Sequence, residues 1–415
     1  MDHRYRAIHR WRLRGQIALT PDVDNLRQVW VTAVIDNYHY YSSSAFETEA
    51  ELFASGWIFA GMASELAKDH DFVCIDLPGE SVVVQNFRGE LRAFQNVCPH
   101  RLNLIQCAER GNRRLICAYH GWRFDADGRP IGVGERQGFL SPGENAELLC
   151  LKRYRVASCG ELVFFSRDAD ALSLEDYLGG FASVIRDLSD AIGTETYFGT
   201  VPHCANWKLL VENVLECYHC SAVHPETFVS GMGVGRKPIA DVQFAGTEQR
   251  HSSSHFPRMP IKREALRKRA IAHLDERPLQ HDSFFHIFIF PNLFLSSTEG
   301  ANFYVGQALP LAANRTDLRI RFFEPRVEFG EKARRRQDAL NPQAVDLGLK
   351  VIGEDKTILE TVQRGISIAD RSPALGREEV RIAAFHAAYL LAMRSVAEAA
   401  GGRGVDRSPE PAISN

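Results

Sequence analysis

The chain has 415 residues, 45% hydrophobic and 24% charged, with a net charge of −3. That length allows two or three domains with sizeable cores, and a near-neutral balance gives no electrostatic case for a nucleic-acid partner. No run approaches the ~18–20 apolar residues that would span a bilayer, and an odd count of nine cysteines fits reduced thiols in a cytoplasm better than a disulfide framework.

Residues 1–40 read as an N-terminal extension. Its start, MDHRYRAIHRWRLRGQ, is basic but lacks the apolar stretch of a secretory signal. Residues 19–35 carry the pattern of an amphipathic helix, with Thr20 or Asp22 as candidate N-cap. A Ser/Thr-capped helix is expected over 41–56, leading into Trp57. From 57 to 167 the pattern turns to short strands, at 72–77, 81–87, 91–97, 114–119 and 161–166, separated by turn residues such as Arg88-Gly89-Glu90. From 168 to 400 a second, larger antiparallel sheet is expected from runs at 196–201, 283–290, 292–298, 302–309 and 318–325, with flanking helices. A basic helix over 261–276 reads as a solvated face. The Gly/Pro/Ser-rich residues 401–415 read as a disordered tail. The fold class is α+β: a small all-β unit ahead of a larger mixed one.

Two half-sites stand at hairpin tips in the smaller unit. Cys98-Pro99-His100 is followed, sixteen residues later, by Cys117-Ala118-Tyr119-His120. Alternating thiol and imidazole suits a [2Fe–2S] cluster with two cysteines on one iron and two histidines on the other. A structural zinc ion is the alternative for four such ligands, but zinc fingers pair Cys with Cys and His with His. With Arg101 after the first pair and Gly121-Trp122 after the second, the segment closely resembles the Rieske domain of ring-hydroxylating and demethylating non-heme iron oxygenases. Leu102 departs from that pattern, which has glycine there, and the departure is expected to alter packing near the cluster. Rieske proteins of respiratory membranes carry an additional cysteine where this chain has Asn103. The resemblance is therefore to the soluble kind.

A second constellation lies in NWKLLVENVLECYHCSAVHPETF, residues 206–228. On a helix from Trp207 to Cys220, Trp207, Leu210, Val211, Val214 and Tyr218 gather on one face, and Glu212, Asn213, Glu216 and His219 on the other. By itself that reads as a surface helix. His219 and His224 are five residues apart and share no helical face, but Pro225 disfavours helix at His224, so the chain can turn back there. Two histidines and a carboxylate form the facial triad of non-heme Fe(II) oxygenases. In the periodic helix expected over 349–366, Asp355 sits at the centre of the apolar stripe, where an ionised carboxylate needs a partner or a metal. Glu354, Lys356, Glu360 and Arg364 fall off that stripe. Both segments resemble the same oxygenases, and the resemblance implies His219, His224 and Asp355 as ligands of a mononuclear iron. It also implies Glu216 as the bridge from that iron to a Rieske histidine of a neighbouring subunit. Glutamate rather than aspartate at that place is similar to the carnitine, glycine betaine and stachydrine demethylase branch.

The resemblance implies the oxygenase component of an O₂-dependent system, fed from NAD(P)H by a flavin/iron–sulfur reductase or a ferredoxin. It further implies the cluster ligands Cys98, His100, Cys117 and His120, a homotrimer, and no nucleic-acid or membrane partner. N-demethylation or hydroxylation of a quaternary ammonium compound is the expected reaction, and hydroxylation or dihydroxylation of an aromatic compound or aryl acid the alternative. The aromatics Phe284, Phe285, Phe288, Phe290, Phe294, Phe303 and Tyr304 could supply a cation–π wall, although alternating aromatics in a strand more often fill a core. A pure Rieske electron carrier would need only the first sheet unit.

Overall fold

The structure is a computed structural model that describes residues 34–133 and 147–402. All but the last two residues of the helix expected over 19–35 lie outside it, as does the tail beyond 402. The chain enters through α1 (Ser43–Leu52), where the Ser42 hydroxyl accepts from the Ala45 amide at 3.3 Å and caps the first turn.

A seven-stranded antiparallel sheet follows. Its strands are β1 (Ile58–Met62), β2 (Asp71–Leu77), β3 (Glu80–Phe87), β4 (Glu90–Gln95), β5 (Arg110–Asn112), β8 (Arg153–Cys159) and β9 (Leu162–Ser166), in the order β1-β9-β8-β4-β3-β2-β5. Between β5 and β8, β6 (Arg123–Phe124) and β7 (Pro130–Gly132) form a small separate hairpin. The expected strand at 114–119 does not form; the chain there makes only the bridge Ile116–Arg123 and turns at once. After α2 (Phe181–Ala191), a second antiparallel sheet runs in the order β10-β16-β15-β14-β13-β12-β11. Its strands are β10 (Ile192–His203), β11 (Ala240–Ala245), β12 (His251–Pro257), β13 (Ser283–Ile289), β14 (Leu293–Thr298), β15 (Asn302–Ala312) and β16 (Arg315–Pro325).

Alternation along those strands divides the aromatics. Phe285, Ile287, Leu295, Phe303 and Phe323 pack with α2. Phe288, Phe294, Ile320 and Phe322 pack with α3 (Trp207–Leu215) and with the helices α4 (Glu331–Ile366) and α5 (Val380–Gly402). α5 is long and apolar enough to cross a membrane by length and composition, yet Ile382, Phe385, Ala388 and Tyr389 are buried in this core. The two sheets are tied by charge. Arg110 pairs with Glu65 at 2.9 Å and with Glu195 at 2.8 Å, and buried Arg321 reaches Glu65 at 3.1 Å.

Candidate metal centres

The two Rieske half-sites are matched turns. The Leu102 amide donates to the Cys98 carbonyl at 2.9 Å, and the Gly121 amide to the Cys117 carbonyl at 3.0 Å. Each turn needs a left-handed residue at the same place: Gly121 has φ +69° and Leu102 has φ +58°. The expectation that Leu102 alters packing is therefore corrected: its side chain is 75% exposed, and what glycine would supply there is backbone freedom. Cys98 and Cys117 are buried together, the His100 and His120 rings lie 4.5 Å apart, and Trp122 stacks on His100 at 4.9 Å. Burial pushes the Cys98 thiol up to about 11. A thiolate at that depth needs a bound cation to hold it, so the donor set fits an iron–sulfur group.

In the second constellation, Asn206 caps α3 by accepting from the Lys208 amide at 3.0 Å. The surface-helix reading fails, since Trp207, Lys208, Leu209, Leu210, Val211 and Leu215 are all buried while Tyr218 is 73% exposed. The helix also stops at Leu215 rather than near 220. Glu216 is extended, at φ −135° and ψ 175°, and its carboxylate accepts from the Tyr218 and His219 amides and binds His219 Nδ1. A side chain that satisfies the following amides competes with helix continuation. His224 leaves the helical region at φ −119° and ψ 43°, and Pro225 opens a π-helical segment, Pro225–Met232. The turn back at His224 thus occurs where the sequence placed it. Cys217 and Cys220 are joined in a disulfide, one local bridge that the sequence did not announce, while none of the other seven cysteines is in a disulfide, so there is no disulfide framework among the described residues.

α4 brings Asp355 to this turn. Gly348 lets it pack closely on the sheet, because a Cβ there would stand 2.4 Å from the Phe322 ring. Asp355 Oδ1 lies 2.8 Å from His224 Nε2 and 3.6 Å from His219 Nε2, and donor atoms of the three residues all fall within 4.8 Å of one another. His224 Nδ1 is held at 2.8 Å by Glu354, which also accepts from Thr227. Both histidines therefore have Nδ1 held by a carboxylate, which leaves Nε2 for a metal. This geometry fits a two-histidine, one-carboxylate iron site. Burial works against a charge on His224, but the bonds to Asp355 and Glu354 outweigh it and raise its pKa.

These residues open on a cavity of about 390 Å³. Its floor is the pocket face of the second sheet, where cross-strand partners Ser254, His286, Ser296, Tyr304 and Phe322 form one row and Phe256, Phe284 and Thr298 the next. Of the aromatics singled out in the sequence, Phe284 and Tyr304 line the cavity from the pocket face, Phe303 borders it but packs into the core against α2, and Phe285, Phe288, Phe290 and Phe294 are core. The basic helix, Glu264–Ile271, is not simply a solvated face, since Arg267 and Ile271 also line the cavity. Sequence reasoning missed Glu354. It also missed Arg381, fully buried, which donates to His286 Nδ1 at 3.0 Å and so leaves the ring proton on Nε2. The signal for Arg381 was available: it is the only charged residue in VRIAAFHAAYLLAM.

Residues 195–395 match the family model for the ring-hydroxylating alpha subunit (catalytic domain), and residues 56–141 the model for the Rieske [2Fe-2S] domain. The carnitine monooxygenase oxygenase subunit of Acinetobacter baumannii is 37% identical over 202 residues, covering 45% of this chain and 51% of its own length. The anthranilate 1,2-dioxygenase large subunit of Acinetobacter baylyi is 36% identical over 193 residues, covering 43% and 40%. The chain's match thus spans about half the length, or less, of these curated relatives. Among solved structures, a quaternary ammonium Rieske monooxygenase superposes with a TM-score of 0.71 at 22% identity, covering 88% of this chain and 96% of that one, a likeness of fold. Motif, geometry and family models agree: the chain belongs to the ring-hydroxylating oxygenase alpha-subunit family, a Rieske [2Fe–2S] domain followed by a catalytic domain of the mononuclear-iron type.

Proposed function

We propose that this chain is the oxygenase component of a Rieske system that oxidises a C–H bond of a quaternary ammonium compound of the betaine or carnitine kind. The observation that carries the reading is the convergence of His219, His224 and Asp355 on an aromatic-lined cavity, with Glu216 binding the first of them. Cys98, His100, Cys117 and His120 would hold the cluster within 57–167, and the triad would hold iron within 168–400. Those groups supply stored electrons and dioxygen activation. The chain's own residues do the positioning. Glu216 and Glu354 fix the two imidazoles, Asp355 closes the ligand set, and Phe228, Phe284, Phe256 and Tyr304 line the cavity with the aromatic rings that a cation–π contact needs. Hydroxylating an N-methyl group gives a hemiaminal that collapses to amine and formaldehyde.

Glu216 serves as the bridge to a neighbouring copy's Rieske histidine. The Rieske tip presents Tyr119, and the turn after Glu216 presents Tyr218, both exposed; a head-to-tail ring would cover them, and a trimer is the simplest closure. A flavin/iron–sulfur reductase or ferredoxin would deliver the electrons, in the cytoplasm. The 36% identity to the anthranilate relative favours a second reading, oxidation of an aryl acid. One assay separates them. With a reductase and NAD(P)H, and a panel of betaines, methylated amines and aryl acids, the ammonium compounds should release formaldehyde; hydroxylated arene without formaldehyde would overturn the ammonium reading.

A further inference from the structure

The cavity floor carries a donor that the iron site does not use. Tyr304 stands in the row His286, Ser296, Tyr304, Phe322, with its ring 5.3 Å from that of Phe322. The phenol lies along β15. A Cβ on Gly306, two residues on and on the same face, would stand 2.3 Å from the Tyr304 hydroxyl, so the glycine makes room for it. Across the sheet Gly306 is flanked by Phe294 and Ile320, whose side chains carry no acceptor. The Tyr304 hydroxyl makes no hydrogen bond among the described residues. It is nonetheless not shut off. The side chain is half-buried and lines the cavity, and its oxygen keeps accessible surface, unlike His286 Nε2 two places along the row.

Burial and the nearby charge of Asp355 both push the phenol above its ordinary range, so the hydroxyl keeps its proton and remains a donor. The influence of Asp355 also sets Tyr304 close to a residue of the iron site. A donor set among apolar side chains gains a hydrogen bond only when an acceptor arrives with a ligand. We infer that Tyr304 is a specificity-determining residue, whose hydroxyl donates to an oxygen of the substrate while another carbon is presented to His219, His224 and Asp355. This rests on the oxygenase reading above and narrows it: the substrate carries a carboxylate or hydroxyl group. A plain alkylammonium ion or a hydrocarbon would leave the hydroxyl unpaired, and a site built on a donor discriminates against ligands that lack the acceptor.

The test is anaerobic calorimetric titration of the holoenzyme, wild type and Tyr304→Phe, with matched ligands. A trimethylammonium carboxylate and a trimethylammonium alcohol are set against the alkyltrimethylammonium cation of equal length, and benzoate against toluene. For at least one oxygen-bearing ligand, Tyr304→Phe should weaken binding roughly tenfold, while its oxygen-free partner changes by no more than about twofold. Because the hydroxyl bonds nothing in the protein, the variant should also keep a urea midpoint no lower than that of wild type. Equal weakening of both members of every pair, no weakening of any oxygen-bearing ligand, or a wild type that binds none of them overturns the assignment. So does a clearly lower midpoint, since the hydroxyl would then be bonded within the protein. Which ligand binds is a separate result: if only benzoate binds and depends on Tyr304, the donor stands and the ammonium reading falls.

Discussion

At the scale of single residues, Leu102 shows how a motif departure acts. A non-glycine residue in the left-handed region costs roughly 1–2 kcal/mol, and an exposed leucine recovers none of it through burial. Leu102→Gly should therefore stabilise the protein by about 1 kcal/mol, less the entropy glycine gains on unfolding, read as a higher urea midpoint with the cluster absorbance unchanged. A lower midpoint would show that the side chain packs against something, such as a neighbouring copy. The triad was legible in the sequence because each member broke a local rule: two histidines off a common face with proline behind, and an acid on an apolar stripe. Glu354 was not legible. A helical wheel sets it beside the stripe, but its partners His224 and Thr227 come from a segment whose π-helical path no periodicity announces.

At the scale of elements, the N-W-K that opens α3 does structural work. Asn206 caps the helix and donates to the Ala313 carbonyl at 2.6 Å. The Trp207 indole donates to Glu49 at 2.7 Å, and fully buried Lys208 pairs with the same carboxylate at 2.6 Å, with the Tyr389 hydroxyl closing the set at 2.7 Å. Three segments of the chain, α1, α3 and α5, meet on that one carboxylate. Removing one partner strands a buried charge, so Lys208→Met should destabilise by about 3–5 kcal/mol, and Lys208→Met with Glu49→Leu by clearly less. Denaturant titration of the single and double variants checks this, and equal losses would contradict it. The sequence showed that a helix stands here but not its burial, because Glu212 read as solvent-facing until Tyr40 and His386 of α5 bond it. It also overran the helix end, which is set by the Glu216 carboxylate capturing the Tyr218 and His219 amides. Five of the second sheet's seven strands were legible from their aromatic and β-branched runs, whereas β11 and β12 were not, since ADVQFA and HSSSHFP carry one phenylalanine each and no such run.

For the whole molecule, buried histidines set the acid limit, and His286, held low by burial and by Arg381, adds to the two that follow. Burial lowers His251 and His281 to about 3. His251 accepts from the Phe290 amide at Nδ1 and bonds the Tyr177 carbonyl through Nε2, an arrangement only the neutral ring satisfies. Below a pH of about 6.5 the unfolded chain takes up protons that the folded chain refuses, so stability falls as pH falls toward 3. Each histidine should contribute roughly 1 kcal/mol of loss by pH 5.5, and urea midpoints at pH 7.5 and 5.5 measure it. A flat profile would contradict the burial. Above these local effects stands the central claim that one chain holds both an electron inlet and a separate iron site. Iron content with the cluster spectrum, in wild type and in Asp355→Ala, tests it most directly. The account predicts about three iron atoms per chain in wild type and about two in the variant, with the Rieske absorbance intact and substrate oxidation lost. Two iron atoms in wild type, or loss of the cluster in Asp355→Ala, would contradict it.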